Sequence, residues 1–143
     1  MIRLELGTFG AVMRFALALE HASEAFYKEL HSGTSDSTLR PVLEKILTRC
    51  AIRINTLERV RRENVTEMIL EPIRGISSDS YPTAITLPSF ADSRDLRDAA
   101  RAWETKRKRF FESASHKIEF LMEAAEAFER LADENEENLA KLE

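Results

Sequence analysis

The stretch of sequence that decides the fold reads FALALEHASEAFY and covers residues 15–27. Its apolar residues recur at steps of three and four, which is typical of a helix with one buried face. Glu20 lies beside that face, and Tyr27 lies about two helical turns further along the same side. Because a carboxylate inside a helix bundle is destabilising unless it is compensated, we expect Glu20 to have a partner elsewhere in the core.

The composition favours a single all-α domain over residues 1–143. Of these residues 43% are hydrophobic and 32% are charged, with only four Gly and four Pro. The net charge of −4 provides no overall positive field, so no nucleic-acid partner is expected. No apolar run is long enough for a membrane span, and the single cysteine suits a reducing compartment. We therefore expect a cytoplasmic protein without a membrane partner.

The apolar periodicity predicts four helices, near residues 8–31, 37–68, 94–114 and 117–141. A turn is expected at residues 113–116, where serines flank an alanine. Ser37 or Thr38 is a predicted N-cap of the second helix, and Ser93 of the third.

The stretch from 71 to 93 interrupts the helical pattern with prolines and a glycine. A connection this long predicts a crossover between helices 2 and 3 of a four-helix bundle. It carries more apolar residues than a solvated loop needs, and an exposed apolar surface often marks an interface. We therefore predict a symmetric homodimer that uses this segment. The apolar residues concerned are Ile73, Ile76, Tyr81, Ile85 and Leu87.

The two halves of the chain repeat one pattern. Glu20 followed by Phe26-Tyr27 corresponds to Glu104 followed by Phe110-Phe111, at an offset of 84 residues. Residues 44–58 correspond to residues 129–143 at an offset of 85. Such similar offsets indicate a duplicated helical hairpin with pseudo-twofold symmetry.

This repeat resembles the rubrerythrin-like branch of the ferritin-like superfamily, over nearly the whole chain apart from the crossover. The resemblance implies a Glu and an aromatic pair on the first helix of each hairpin, and Glu-x-x-His on the second. Two such hairpins would build a di-iron site in the bundle core. Glu20 and Glu104 match the two first-helix ligands, and residues 131–139 resemble the fourth helix of the family.

The sequence departs from the family at the other ligand positions. Cys50 and Arg53 stand where helix 2 would carry Glu and His, and Asn135 and Asn138 stand there on helix 4. Glu20 and Glu104 are thus residual metal-ligand positions, which we expect to be unoccupied, because two carboxylates cannot complete a di-iron site. The Cys-x-x-Cys pair of an electron-transfer module is also absent.

Two interpretations of the substituted positions remain open. In the first, Arg53 points inward and replaces metal charge, Arg107 adds a second cation one turn beyond Glu104, and Asn135 and Asn138 donate their amides. Tyr27 would join this polar network. In the second, Arg53 and the asparagines face solvent. The run Lys106-Arg107-Lys108-Arg109 has no aromatic platform of its own and is otherwise expected to be a solvated helix face.

Three functions are compatible with these residues. The sequence favours a binding or assembly module that is non-catalytic and carries no cofactor. The alternative is an iron-binding oxidoreductase for peroxide or iron handling, whose residual or relocated site uses Glu24, Glu58, Glu119 or Glu123. The third is a plain structural bundle.

Overall fold

Four long α-helices make up most of the structure, a computed structural model that describes residues 6–67, 73–82 and 92–143. The predicted all-α class and the four helices are confirmed. The helices are α1 (Phe9–Gly33), α2 (Leu39–Glu63), α3 (Ser93–Lys117) and α4 (Met122–Lys141).

The turn predicted at 113–116 is wrong, because α3 continues to Lys117 and the connection to α4 is residues 118–121. Ser115 fits inside the helix because its hydroxyl donates to the carbonyl of Glu112 at 2.8 Å. Ala114 and Ile118 are fully buried at the end of this helix. The chain therefore turns only after its last buried contact, at Ile118.

The predicted start of α3 is wrong, whereas Thr38 is the N-cap of α2 as predicted. Asp92, not Ser93, is the N-cap of α3, and its carboxylate forms a capping box with Asp95. Thr38 holds the N-cap position of α2 without a side-chain hydrogen bond. Asp36 supplies that bond instead, because its Oδ1 accepts from the backbone N–H groups of Thr38 and Leu39.

The helices pack as two hairpins, α1 with α2 and α3 with α4. The hairpins meet where α1 faces α3 and α2 faces α4. Aromatic side chains fill the core between them, and the largest are fully buried. They are Phe9, Tyr27, Trp103, Phe110, Phe111 and Phe128.

The connection from α2 to α3 packs on the bundle where it is described. Leu6 N–H donates to the carbonyl of Ile76, and Ile73 N–H donates to the carbonyl of Gly7. Gly75 turns the chain between these bonds with a φ of 86°, a conformation that favours glycine. Ile73 and Ile76 are buried at 5% and 2% exposure, which corrects the expectation that they form an exposed surface.

Tyr81 lies in the same connection and packs its ring against Phe110 at 5.3 Å between centroids. Ile85 and Leu87 lie outside the described residues. The path of the connection as a crossover along the bundle stays a prediction for the same reason.

Candidate functional site

The site is built around Glu20, which α1 carries on its buried side with no exposed surface. Its Oε1 accepts from Arg53 Nε at 3.0 Å and from Arg53 Nη2 at 2.8 Å. Its Oε2 accepts from Arg107 Nη1 at 2.8 Å. Both carboxylate oxygens therefore bind guanidinium groups, one from α2 and one from α3.

Glu104 is the second buried carboxylate and accepts from more donors than Glu20 does. Its Oε2 accepts from the hydroxyl of Tyr27 at 2.6 Å and from Nε and Nη2 of Arg107. Its Oε1 accepts from the amide of Asn135 at 3.0 Å and the amide of Asn138 at 2.8 Å. The donors come from three helices, which fixes the carboxylate of Glu104 in one position.

Arg53 points inward, as the first of the two interpretations of the sequence requires. Besides its two bonds to Glu20, it donates through Nη1 to the carbonyl of Leu131 at 3.0 Å and through Nη2 to Asn135 Oδ1 at 3.1 Å. Its guanidinium lies over the ring of Phe111, 5.2 Å from the centroid. Arg53 thus connects α2 to both α1 and α4.

Arg107 contacts both carboxylates and is fully buried. It follows Glu104 by one helical turn, so the two side chains lie on one face of α3. Two guanidiniums and two carboxylates give the network a net charge of zero. A buried ionic group of this kind is tolerated because every charge has hydrogen-bonded partners.

The surroundings of the network shift three pKa values, in directions that keep Glu104 and Arg107 charged and Tyr27 protonated. Burial would raise the pKa of Glu104, but the positive charge of Arg107 and the hydrogen bond from Tyr27 lower it below its ordinary value. Burial and the neighbouring Glu104 raise the pKa of Tyr27, so its hydroxyl keeps its proton. Although burial opposes it, the charges of Glu104 and Glu20 raise the pKa of Arg107.

Cys50 is the one predicted site residue that does not join the hydrogen bonds of the network described here. It is fully buried, and burial raises the pKa of its thiol to about 11. A thiol with that pKa is protonated at neutral pH, and the thiolate is the form that binds metals or attacks electrophiles. Cys50 therefore acts as a small apolar core residue.

The sequence interpretation missed two partners of Arg53 and a buried hydrogen bond next to the network. Trp103 Nε1 donates to Ser23 Oγ at 2.8 Å, which joins α3 to α1 beside Glu20. Ser23 follows Glu20 by three residues and so shares its buried side, a spacing that could have revealed it. Glu134 belongs to the acidic stretch of residues 133–137, yet it accepts from Arg49 at 3.1 and 3.2 Å and lies 3.9 Å from Arg53. Nothing in the sequence indicates that the backbone carbonyl of Leu131 accepts a hydrogen bond from Arg53.

The residues present do not fit the di-iron centre that the resemblance implies. All four oxygens of Glu20 and Glu104 already accept hydrogen bonds from side chains of the protein. Positive guanidinium groups are hydrogen-bonded to both carboxylates, and such groups repel a metal cation instead of coordinating it. Within the described ranges, no three His, Cys, Asp or Glu side chains gather as metal ligands.

The proposed relocated ligands are surface residues with other partners. Glu24 pairs with Lys28, Glu58 with Arg61 and Glu119 with His116, at 3.3 to 3.6 Å. Glu123, by contrast, lies on a surface groove beside Arg130. These four glutamates do not converge on one point.

Comparison with known proteins gives no relative from which a function can be carried over. No family model matches the chain, and neither a curated protein nor a solved structure matches it significantly. A search of the helices in the described ranges finds none that is long and apolar enough to cross a membrane.

Proposed function

We propose that this chain is a non-catalytic, metal-free binding or assembly module, built on a ferritin-like bundle in which arginines have replaced the metal. The observation that carries the proposal is that both oxygens of Glu20 and both of Glu104 accept hydrogen bonds from fixed donors. Descent from a di-iron protein is inferred from the resemblance to rubrerythrin-like proteins. Arg53 and Arg107 neutralise the two carboxylates, and for this reason the site needs no metal.

Electrostatics supports the proposal. Two unit charges 4 Å apart interact by about 4 kcal/mol at an effective dielectric constant of about 20, and a divalent ion doubles that repulsion. A metal that bound Glu20 and Glu104 would have to displace charge-assisted hydrogen bonds and remain close to two guanidiniums. The network therefore stabilises the helices without metal and disfavours metal entry.

The deciding experiment is an anaerobic titration of purified protein with Fe(II), followed by desalting and elemental analysis. We expect no stoichiometric iron in the wild-type chain. Wild-type protein that retains close to two irons per chain would contradict the proposal and favour the iron-binding oxidoreductase.

A matched pair of variants controls this titration. The first restores the family ligands through Cys50→Glu, Arg53→His, Asn135→Glu and Asn138→His. The second adds Arg107→Leu, because Arg107 donates to both remaining carboxylates and would oppose a metal. We expect iron binding from the second variant and weaker binding from the first, with circular dichroism to verify that both are helical.

The assembly partner in this proposal is a second copy of the chain, as the sequence predicted. The homodimer stays a prediction. Ile73 and Ile76 do not offer it a surface, because they are buried in the chain's own core. The large apolar side chains that are exposed among the described residues are instead Ile52, Val65, Phe120 and Met122.

A further inference from the structure

The two hairpins meet on two sides of the bundle, and the described part of the α2–α3 connection packs on one of them. On the α1–α3 side, the ring of Tyr81 packs against Phe15 and Phe110. On the α2–α4 side, two adjoining cavities of about 370 and 450 Å³ are lined by residues of α2 and α4 alone. Both are lined by Lys45 and Lys141, so they form one groove, here called the α2–α4 groove.

Most cations of the α2–α4 groove have no counter-ion within the described part of the chain. Arg49 pairs with Glu134 at 3.1 Å. Lys45, Arg130 and Lys141 are exposed and make no ion pair with a described residue. Lys45 and Arg130 are also equivalent in the repeat, at the offset of 85 residues, so each helix of the groove contributes one of them. The groove therefore offers three positive groups to an anion.

The carboxylates of the groove are unevenly distributed between its two cavities. In the cavity beside the start of α2, Glu44 is the only acidic lining residue against three basic ones. The adjoining cavity is lined by three acidic residues, of which Glu134 is neutralised by Arg49. The other two are Asp133 and Glu137, which are exposed. An anion is therefore favoured in the first cavity, and groups that donate hydrogen bonds to carboxylates are favoured in the second.

Asn138 presents an unpaired acceptor to the second cavity. The residue is only 5% exposed, and its Nδ2 donates to Glu104 at 2.8 Å. Asn135 makes the same bond to Glu104, but its Oδ1 also accepts from Arg53. The Oδ1 of Asn138 accepts from no described residue. Among the described side chains, His31 Nε2 is the only unpaired N or O atom that is sealed from solvent, so Asn138 Oδ1 opens to the groove that the residue lines.

We propose that the α2–α4 groove binds a small hydroxylated anion, of the class of sugar phosphates and polyhydroxy acids. The negative group binds Lys45 and Lys141, and the hydroxyl groups donate to Asn138 Oδ1 and to Glu137. Hydroxyl groups fit better than an ammonium as donors, because the lysines repel a second cation. The size of the cavities also fits, since small-molecule sites have volumes of about 300–1,000 Å³. This inference rests on the proposed function and deepens it, because it names a ligand for the binding module.

The first test is a titration of the nitrogen-15-labelled chain with glucose 6-phosphate, followed by NMR at low ionic strength, where exposed charges are least screened. We expect saturable shifts of the backbone amide signals of residues 45–49 and 138–141. Glucose 6-phosphate should bind at least about tenfold more tightly than methyl phosphate, which lacks sugar hydroxyl groups, and than glucose, which lacks charge. Gluconate in place of glucose 6-phosphate shows whether the groove prefers a carboxylate or a phosphate.

Two results of this titration would overturn the proposal. One is the absence of a saturable shift in the groove with both glucose 6-phosphate and gluconate. The other is an affinity for methyl phosphate equal to that for glucose 6-phosphate, because the hydroxyl contacts to Asn138 and Glu137 would then contribute nothing.

A matched set of variants separates the groove from general effects of charge. Lys45→Gln and Lys141→Gln each remove one positive charge from the groove, and Lys28→Gln removes one from α1, where Lys28 pairs with Glu24. We expect the first two variants to weaken the binding of glucose 6-phosphate about threefold, as for an exposed ion pair, and the third to leave it unchanged. All three lysines are exposed, so the variants should fold. Equal affinities in the three variants would contradict the proposal.

Elemental analysis of the same sample separates this inference from the proposed function. If iron-free protein binds neither glucose 6-phosphate nor gluconate, the inference about the groove is wrong and the proposed function stands. If the protein retains close to two irons per chain, the proposed function is wrong. The inference then fails with it, because Glu104 would bind metal instead of the amide of Asn138.

Discussion

At the scale of single residues, the two buried arginines are not equivalent. Of the two carboxylates, Arg53 donates to Glu20 only, whereas Arg107 donates to Glu20 and Glu104. Removal of Arg53 leaves Glu20 with the guanidinium of Arg107, but removal of Arg107 leaves Glu104 with no guanidinium and Glu20 with that of Arg53. The structure therefore orders the two residues by their contribution to stability.

We predict that Arg53→Ala lowers the free energy of unfolding by about 3 kcal/mol and Arg107→Ala by about 5 kcal/mol, the range for orphaned buried charges. Urea unfolding followed by circular dichroism measures both. Arg49→Ala is the matched control, because Arg49 pairs with Glu134 at the surface, where an ion pair contributes about 1 kcal/mol at most. A cost for Arg53→Ala no larger than that of Arg49→Ala would refute the role of the network.

Glu104 makes stability depend on pH in a defined direction. Its pKa is lowered in the folded chain, so its contribution is fully present above the unfolded pKa of about 4.3 and is lost as the pH falls through the folded value. Glu104→Gln should therefore be less stable than the wild type at neutral pH. The difference should narrow as the pH falls below about 4. A constant difference across a pH series of urea unfolding curves would show that Glu104 does not titrate in this way.

The sequence predicted much of this network for a physical reason. A buried Glu20 needs a partner, and the resemblance to rubrerythrin-like proteins placed Arg53, Asn135 and Asn138 at the positions of the missing ligands. The structure brings these residues together as expected. Leu131 could not be predicted, because its carbonyl is a backbone group that α4 exposes to Arg53 only in the folded packing.

At the scale of helices, the carboxylate of Asp36 accepts hydrogen bonds at the N-terminal ends of both α2 and α3. Its Oδ1 caps α2, and its Oδ2 accepts from the hydroxyl of Ser93 in the first turn of α3. The hydrogen bond from Ser93 is the main cause that lowers the pKa of Asp36. Sequence patterns place caps within one helix, so a carboxylate that serves two helices was not foreseen.

We predict that Asp36→Ala lowers the midpoint of thermal unfolding, because both helix starts lose an acceptor. Thr38→Ala should leave the midpoint nearly unchanged, since Thr38 makes no capping bond with its side chain. The effect of Asp36→Ala should also diminish in acid, where the wild-type carboxyl is protonated and its contribution is lost. Equal midpoints for the two variants at neutral pH would refute this assignment.

Patterns within one segment also explain why a turn was wrongly predicted near the end of α3. Serines compete with the helical backbone for hydrogen bonds, which is why residues 113–116 suggested a turn. Ser115 instead bonds back to Glu112, and the neighbouring Ala114 is buried against the bundle. Tertiary burial decided the length of this helix, and periodicity within one segment does not contain that information.

At the scale of the whole molecule, the two halves of the repeat have their buried carboxylates at equivalent positions but their buried arginines at different positions. Glu20 and Glu104 occupy equivalent positions, but Arg53 is equivalent to Asn138 and Arg107 is equivalent to Ser23 at the same offsets. The first hairpin takes its cation from its second helix, and the second hairpin takes its cation from its first. An arrangement with this asymmetry is not implied by duplication alone.

Each hairpin consequently carries one buried carboxylate and one buried guanidinium that bind each other within the hairpin, Glu20 with Arg53 and Glu104 with Arg107. Neither half exposes an uncompensated core charge when it is alone. A chain divided between α2 and α3 should therefore yield two separately expressed fragments that can be mixed and recover the native bundle. A di-iron bundle of the rubrerythrin-like kind would not allow this without metal, because each half would then bury two glutamates and a histidine with no arginine to neutralise them. With its own carboxylate and guanidinium, each half is neutral in its buried charge without a contribution from the other half.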